Sequence, residues 1–438
     1  MLPRPQTAAL RLAALLSCLA GTGALAAPRL LTLEEAERTA RERQPLLRAS
    51  RASTAAAQAR ASQGRAPLLP QVTAALGWRR ATGNAVPSPG ASAGLQASNS
   101  LDNWNAFSGS LTASQLLWDF GQTTGRAGAA EALAAAALAA ERTTLQGVLF
   151  GVRSSFFDAR ALKALLGVAR ESLGNQRKHR EQIEAFVLAG TRPDIDLAQA
   201  RTDEANASVA MVNAENGYES ARQSLNLAMG VEGPTDYDVA EDAPAPVPGE
   251  EQALEPLLQE ALAARPELGV LTEQVRAQRE VLRAASGQYA PALSANAGVT
   301  QGGTQLDNLG WNLSAGVALS WPIFQGGATR ALVGEAEANL GALAAQGDLL
   351  RQQVRADVDA ARLAVRAATA ARGASKDAVK NARERLRLAE GRYQSGVGSV
   401  IELGDAQVAL TSAEAQEVQA DYRLATARAL LLRALGRP

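Results

Sequence analysis

The chain has almost none of the residues that cut, oxidise or ligate. Among its 438 residues there is one cysteine and one histidine. The lone Cys18 excludes an intrachain disulfide framework. His179 has no cysteine or histidine partner at metal-ligand spacing, so it reads as a surface residue rather than a ligand. No Ser-His-Asp set and no catalytic pair stands out. Gly326-Gly327 lacks the surroundings of a phosphate-binding loop and reads as a strand-to-helix corner. Charge of either sign is not in excess, with 44 basic against 44 acidic residues, which excludes a nucleic-acid surface. Aromatic residues make up only 4% of the chain, too few to fill an ordinary globular core. Beyond the N-terminus no window of about 18 apolar residues exists, which excludes a transmembrane helix. The expectation is a protein with no catalytic residues, no cofactor and no metal.

What the chain does have is alanine, the best helix former, and a leader-like N-terminus. Arg4 and Arg11 form a positive region, Leu12 to Ala20 an apolar one, and Ala24-Leu25-Ala26 a cleavage signal, so residues 1–26 read as a signal peptide. The rival is lipoprotein processing, since Leu15-Leu16-Ser17-Cys18 resembles a lipobox. That route leaves only about six apolar residues after Arg11, against the usual 7–15.

The remainder is a duplication. Arg43-Gln44-Pro45 recurs as Arg265-Pro266, placing Pro45 over Pro266. Pro70 lies over Pro291, Phe120-Gly121 over Phe324 to Gly327, Gly190 over Gly396, and Gly230 over Gly436. The first repeat covers residues 27–230 and the second 253–438. Between them, residues 231–252 are rich in proline and acid, the composition of a solvated linker.

Each repeat reads as a helix, two strands, a very long helix, a turn and a helix. The strands are expected near 70–80, 106–118, 291–301 and 309–321. Their residues alternate with period two: Val72, Ala74, Leu76 and Trp78; Phe107, Leu111, Ala113 and Leu117; Leu293, Ala295, Ala297 and Val299; and Leu309 through Trp321 at odd positions. The intervening residues are small or polar. Three features turn a half-buried sheet into a membrane one. Each run is about 10 residues, the length that a tilted strand needs to cross a bilayer. All five tryptophans (Trp78, Trp104, Trp118, Trp311 and Trp321) lie in these regions, as a membrane girdle requires. Residues 284 to 329 carry a single charge, Asp307. Four strands cannot close a barrel and lipid does not tolerate open edges, so copies of the chain must share one; three would give twelve strands.

The helices complete the pattern. From Thr124 to Ala189 there is no proline, enough for about 100 Å of helix, and Arg330 to Gln394 matches it. Leu350, Val354, Val358, Ala361 and Val365, then Val379, Ala382, Leu386, Ala389 and Tyr393, recur at spacings of three and four, the pattern of a coiled-coil seam. Both long helices stop at glycines, Gly190 and Gly396, and new helices start after Pro193 and Ser399. The turns call for positive φ at Gly190, Gly396 and Gly398.

The ordered set of Pro67-Leu68-Leu69-Pro70, Phe324-Gln325-Gly326-Gly327 and Tyr393 through Ala406, on a duplicated chain, resembles the TolC family of outer-membrane efflux and type I secretion channels. The resemblance implies an α+β membrane protein. It would be a homotrimer whose 12-stranded β-barrel, four strands per chain, continues as an α-helical coiled-coil tunnel through the periplasm of a Gram-negative bacterium. Residues 231–252 would be an equatorial linker. Outer-membrane lipid would surround the barrel. A periplasmic adaptor (membrane fusion protein) and an inner-membrane ABC or RND pump would be the partners, and the chain itself would conduct passively. By the same resemblance Glu402 and Asp405 would form the pore constriction. Asp196, the counterpart of Glu402, would join Tyr393 in hydrogen bonds that hold the gate. Position 398 offers a glycine where the family places an arginine, and Arg192 is the substitute at hand. The turns at Gly190, Gly396 and Gly398 would receive the adaptor. The alternative from another class is a periplasmic coiled-coil scaffold or adaptor without a pore. Drug, metal and protein ducts share these features, so cargo and pump class are left open.

Overall fold

The computed structural model describes residues 29–82, 103–242 and 245–437. The leader and Cys18 lie outside them. The first half runs β1 (Arg29–Leu31), α1 (Leu33–Arg43), α2 (Pro45–Arg65), β2 (Gln71–Thr82), β3 (Asn103–Trp118), α3 (Gln122–Leu188) and α4 (Asp194–Met229). The second runs β4 (Tyr237–Val239), α5 (Leu254–Ala264), α6 (Pro266–Gly287), β5 (Ala292–Gly303), β6 (Gly310–Ser320), α7 (Ala328–Gln394) and α8 (Val400–Ala434). The duplication is thus repeated element by element. The two longest helices, α3 and α7, each have 67 residues.

Two features differ from the expectation. The helix ahead of each strand pair is really two helices. Gln44 and Arg265 are extended, with ψ of 119° and 122°, because a following proline disfavours the helical region. Pro45 and Pro266 then open α2 and α6, where a missing N–H costs nothing. The stretch 231–252 is not simply a solvated loop. Its β4 pairs in parallel with β1, and Val239, Ala240 and Val247 are buried.

The chain forms two compact units, and each takes parts of both repeats. One consists of the described residues of 29–44, 149–246 and 366–429. Leu149, Val152, Phe156, Leu225 and Val239 are its largest fully buried side chains. Buried small residues such as Ala36, Ala40, Ala159 and Ala221 let helices approach closely, which is how a chain poor in aromatics packs. The seam residues Val379, Ala389 and Tyr393 are buried here. Lys163 holds β4 through Asp238 at 2.7 Å and the Val239 carbonyl at 2.8 Å, and the Tyr218 hydroxyl donates to the same carboxylate. His179 is half-buried with its Nε2 3.9 Å from Glu390, not on the surface as expected; burial pushes its pKa down, against the pull of Glu390.

The other unit consists of the described residues of 45–148, 247–365 and 430–437. Val354, Val358, Ala361 and Val365 of the expected seam are buried in it. It carries the antiparallel sheet, in order β2-β3-β5-β6. β3 and β5 are neighbours although everything from α3 to α6 separates them in sequence. β2 and β6 are the edges, and neither has a partner on its outer side among the described residues. Both exits from the sheet into a long helix turn through positive φ. In the first it falls on Phe120 (53°) and Gly121 (91°), in the second on Gly326 and Gly327, so Gly326-Gly327 is the corner it was read as. The first corner is locked by Asp119, whose carboxylate accepts from the Thr123 N–H at 2.6 Å.

Candidate functional site

The turns between the long helices lie in the first unit. α3 and α7 end in the same motif. Thr191 donates to the Phe186 carbonyl and Gly190 to that of Val187; Val397 donates to Arg392 and Gly396 to Tyr393, all at 2.9–3.1 Å. This paired capping needs a left-handed residue after the last turn, and Gly190 and Gly396 supply it with φ of 70° and 77°. Gly398 does not. Its φ is not positive, so the expectation fails there. A side chain at 398 would instead meet the Tyr393 nitrogen at 3.0 Å, and Gly398 is buried while Gly190 and Gly396 are exposed.

Ile183, Ala200, Ala389, Tyr393, Leu403 and Ala406 form one buried cluster beneath the turns, drawn from α3, α4, α7 and α8. Tyr393 is 5% exposed. The Arg192 guanidinium sits over its ring, 4.6 Å from the centroid. Its hydroxyl is buried and has no hydrogen-bond partner among the described residues. Burial raises the phenol's pKa; Arg192 opposes the rise and Asp196 adds to it. Asp196 is therefore within electrostatic range of Tyr393 but makes no hydrogen bond to it.

Glu402 is engaged twice. Its N–H donates to Ser399 Oγ at 3.1 Å, so Ser399 caps α8 in a Ser-x-x-Glu sequence. That signature was legible and was missed. Its carboxylate pairs with Arg392 at 3.1 Å. Asp405, one turn on, is exposed and makes no ion pair among the described residues. The two acids are therefore not equivalent.

The second candidate surface is the sheet. Directly opposed residues in an antiparallel ladder share a face, so the register sorts the side chains. One face carries Val72, Leu76, Trp78, Phe107, Leu111, Leu293, Val299, Trp311, Leu313, Val317 and Leu319. Most of these are exposed, Leu76 at 93%. The other carries Thr73, Gly77, Ser108, Ser110, Thr112, Asn296, Gly298, Asn312 and Ser314. The expected face is corrected at one place. A bulge between Leu116 and Trp118 breaks the alternation at Leu117 and puts Trp118 opposite Leu293. The tryptophans do not all share the apolar face. Trp104 opposes Ala81 and lies on the polar side. Trp321 follows β6 and donates its Nε1–H to the Tyr289 carbonyl at 3.0 Å. Trp118 meets Phe120 edge-on, with centroids 5.9 Å apart.

The family described as "Outer membrane efflux protein" matches residues 38–231 and 257–437. The pyoverdine export outer membrane protein OpmQ of Pseudomonas putida is 27% identical over 89% of this chain and 82% of its own. The outer membrane protein TolC of Escherichia coli is 26% identical over 91% and 80%. Among solved structures, VceC of Vibrio cholerae superposes with a TM-score of 0.80 at 18% identity, over 92% of this chain and 96% of that one. CusC gives 0.80 at 20% identity, over 93% and 92%.

Proposed function

As a member of the outer membrane efflux protein family, this chain is an outer-membrane efflux channel, and we propose that three copies close one barrel whose pore is narrowed at the α3–α4 and α7–α8 turns. Channels of this family are trimeric and work with efflux pumps. One observation carries the reading: a four-stranded sheet whose two edges are unpaired among the described residues, with an apolar face left open to its surroundings. In lipid every backbone polar group needs a partner inside the protein. Pairing β6 of one copy with β2 of the next satisfies both edges, and three copies give twelve strands. The polar face of small residues then lines the lumen. β6, Gly310 to Ser320, is about 33 Å of strand, which at a tilt of about 40° covers the apolar band of about 25 Å expected for such barrels.

The turns then bring their charges toward the threefold axis. Asp405 carries the cation-attracting ring, because Arg392 already compensates Glu402. Arg192 stacked on Tyr393 holds the turns together. The exposed Gly190 and Gly396 turns offer close approach to a periplasmic adaptor, and Gly398 shapes the turn from inside. An inner-membrane pump of the ABC or RND class supplies the energy. The test is ion selectivity in planar bilayers. Asp405→Asn should lower the preference for cations more than Glu402→Gln does. An unchanged preference in Asp405→Asn removes it from the constriction.

A further inference from the structure

The four strands contain two charged residues, Arg79 and Arg80, and both are cations. Being adjacent, they point to opposite faces of β2. Arg80 has the parity of Leu76 and Trp78 and lies on the apolar face, opposite Asn105. Arg79 has the parity of Gly77 and lies on the polar face, opposite Ala106. Both are exposed, and neither makes an ion pair among the described residues.

Their height is set by the topology. At one end the strands run into α3 and α7; at the other they are joined by the chain segments 83–102 and 304–309. Arg80 is at the second end, one ladder pair beyond Trp78 and Phe107 on the same face, or about 7 Å further along the strand. Aromatic rings on the outer face of a barrel sit at the level of the lipid headgroups, so Arg80 stands just outside them. Asn105 and Asn103 share its face, and the strands hold no carboxylate. A guanidinium that faces amide residues and no carboxylate within the strands has its charge available for a phosphate, with which arginine forms strong charge-assisted hydrogen bonds. A residue facing only water would not need to be on this face.

From this placement we infer that Arg80, with Asn105, binds the phosphate of a phosphorylated glycolipid headgroup in the outer leaflet, at three equivalent places around the barrel. The inference rests on the reading that the apolar face meets lipid. Arg79 faces the lumen and takes no part.

The experiment titrates the detergent-solubilised full-length channel with diphosphoryl lipid A, with phosphatidylethanolamine as the zwitterionic comparison, and counts bound lipid by native mass spectrometry. A hydrogen bond to a charged group is strong enough that Arg80→Gln should weaken lipid A binding by about tenfold. Arg80→Lys should retain most of it, and Arg79→Gln should match the parent. Equal binding by Arg80→Gln and the parent overturns the assignment. So does an equal loss in Arg79→Gln, which would indicate diffuse charge attraction. Quenching of tryptophan fluorescence by brominated phospholipid tests the lipid-facing reading separately. No quenching removes that reading and the inference with it. Quenching together with unchanged lipid A binding in Arg80→Gln removes only the inference.

Discussion

Two substitutions that look alike on paper should behave differently at the helical turns. Arg192→Ala removes a guanidinium 4.6 Å from the centre of the Tyr393 ring. A cation over an aromatic face at a partly exposed site contributes about 0.5–1 kcal/mol. A threefold channel loses it three times, about 1.5–3 kcal/mol in all, so the closed-to-open ratio should fall by roughly 10- to 160-fold. Tyr393→Phe keeps the ring and removes only a hydroxyl that is buried without a hydrogen-bond partner among the described residues. Removing an unsatisfied buried polar group costs nothing and can stabilise. Phenylalanine should therefore leave the gate closed, while Arg192→Lys, which has no planar face to stack, should fall between parent and alanine. Open probability and conductance in planar bilayers, at matched trimer yield, read all three. If Tyr393→Phe opens the channel as far as Arg192→Ala, the reasoning is wrong. The hydroxyl must then bond across the subunit boundary, and the hydrogen-bonded lock expected from the sequence would be restored.

Two predictions concern protons. The single Tyr237 hydroxyl proton is within reach of two acceptors, Asn226 Oδ1 at 2.9 Å and the Arg222 carbonyl at 3.1 Å, and burial pushes its pKa up to about 12. A raised folded pKa means that its contribution is complete below the usual tyrosine value of about 10 and is lost as pH rises through about 12; phenolate absorbance should show a late rise that Tyr237→Phe reduces without abolishing, because burial holds the Tyr218 phenol up as well, and tyrosines titrating together in the ordinary range would contradict it. Burial lowers the pKa of His179, so its contribution is present above the ordinary histidine value of about 6.5 and is lost as pH falls through the lower folded value. As the chain's one histidine, it gives a single imidazole titration by NMR, and a midpoint at or above the ordinary value would refute the burial argument.

What was legible in the sequence was periodic. The repeat, the strand parity at Leu76–Trp78 and Trp311–Leu319, and the seam at Val354–Val365 all depend on spacing that many residues share, so no single contact can overturn them. What was not legible depends on one local event. Pro45 and Pro266 were used as landmarks for the repeat, yet their own effect, breaking one helix into two, was missed. The role of Gly398 was misread because a glycine needed for left-handed backbone and one needed for close approach look the same in sequence; only the 3.0 Å separation from the Tyr393 nitrogen distinguishes them. The acidic pair was read as two equal charges because Arg392, ten residues before Glu402, meets it only once the α7–α8 turn is formed.

The bulge at Leu117 shows how one irregularity serves a global constraint. A girdle needs aromatic residues at both ends of one face. In the second repeat the run from Trp311 to Leu319 covers an even number of steps, so an unbroken strand keeps its one aromatic end and its aliphatic residues on the same apolar face. In the first repeat Phe107 and Trp118 are an odd number apart, and an unbroken strand would turn Trp118 into the polar face with Ser114 and Leu116. The extra residue at Leu117 shifts the parity once. Trp118 then lands opposite Leu293 on the apolar face, beside the corner where Phe120 packs against it. No equivalent correction acts on Trp104, which precedes Phe107 by an odd step and stays on the polar side. Parity along the strand, not the mere clustering of tryptophans, therefore decides which of the five can belong to a lipid-facing girdle.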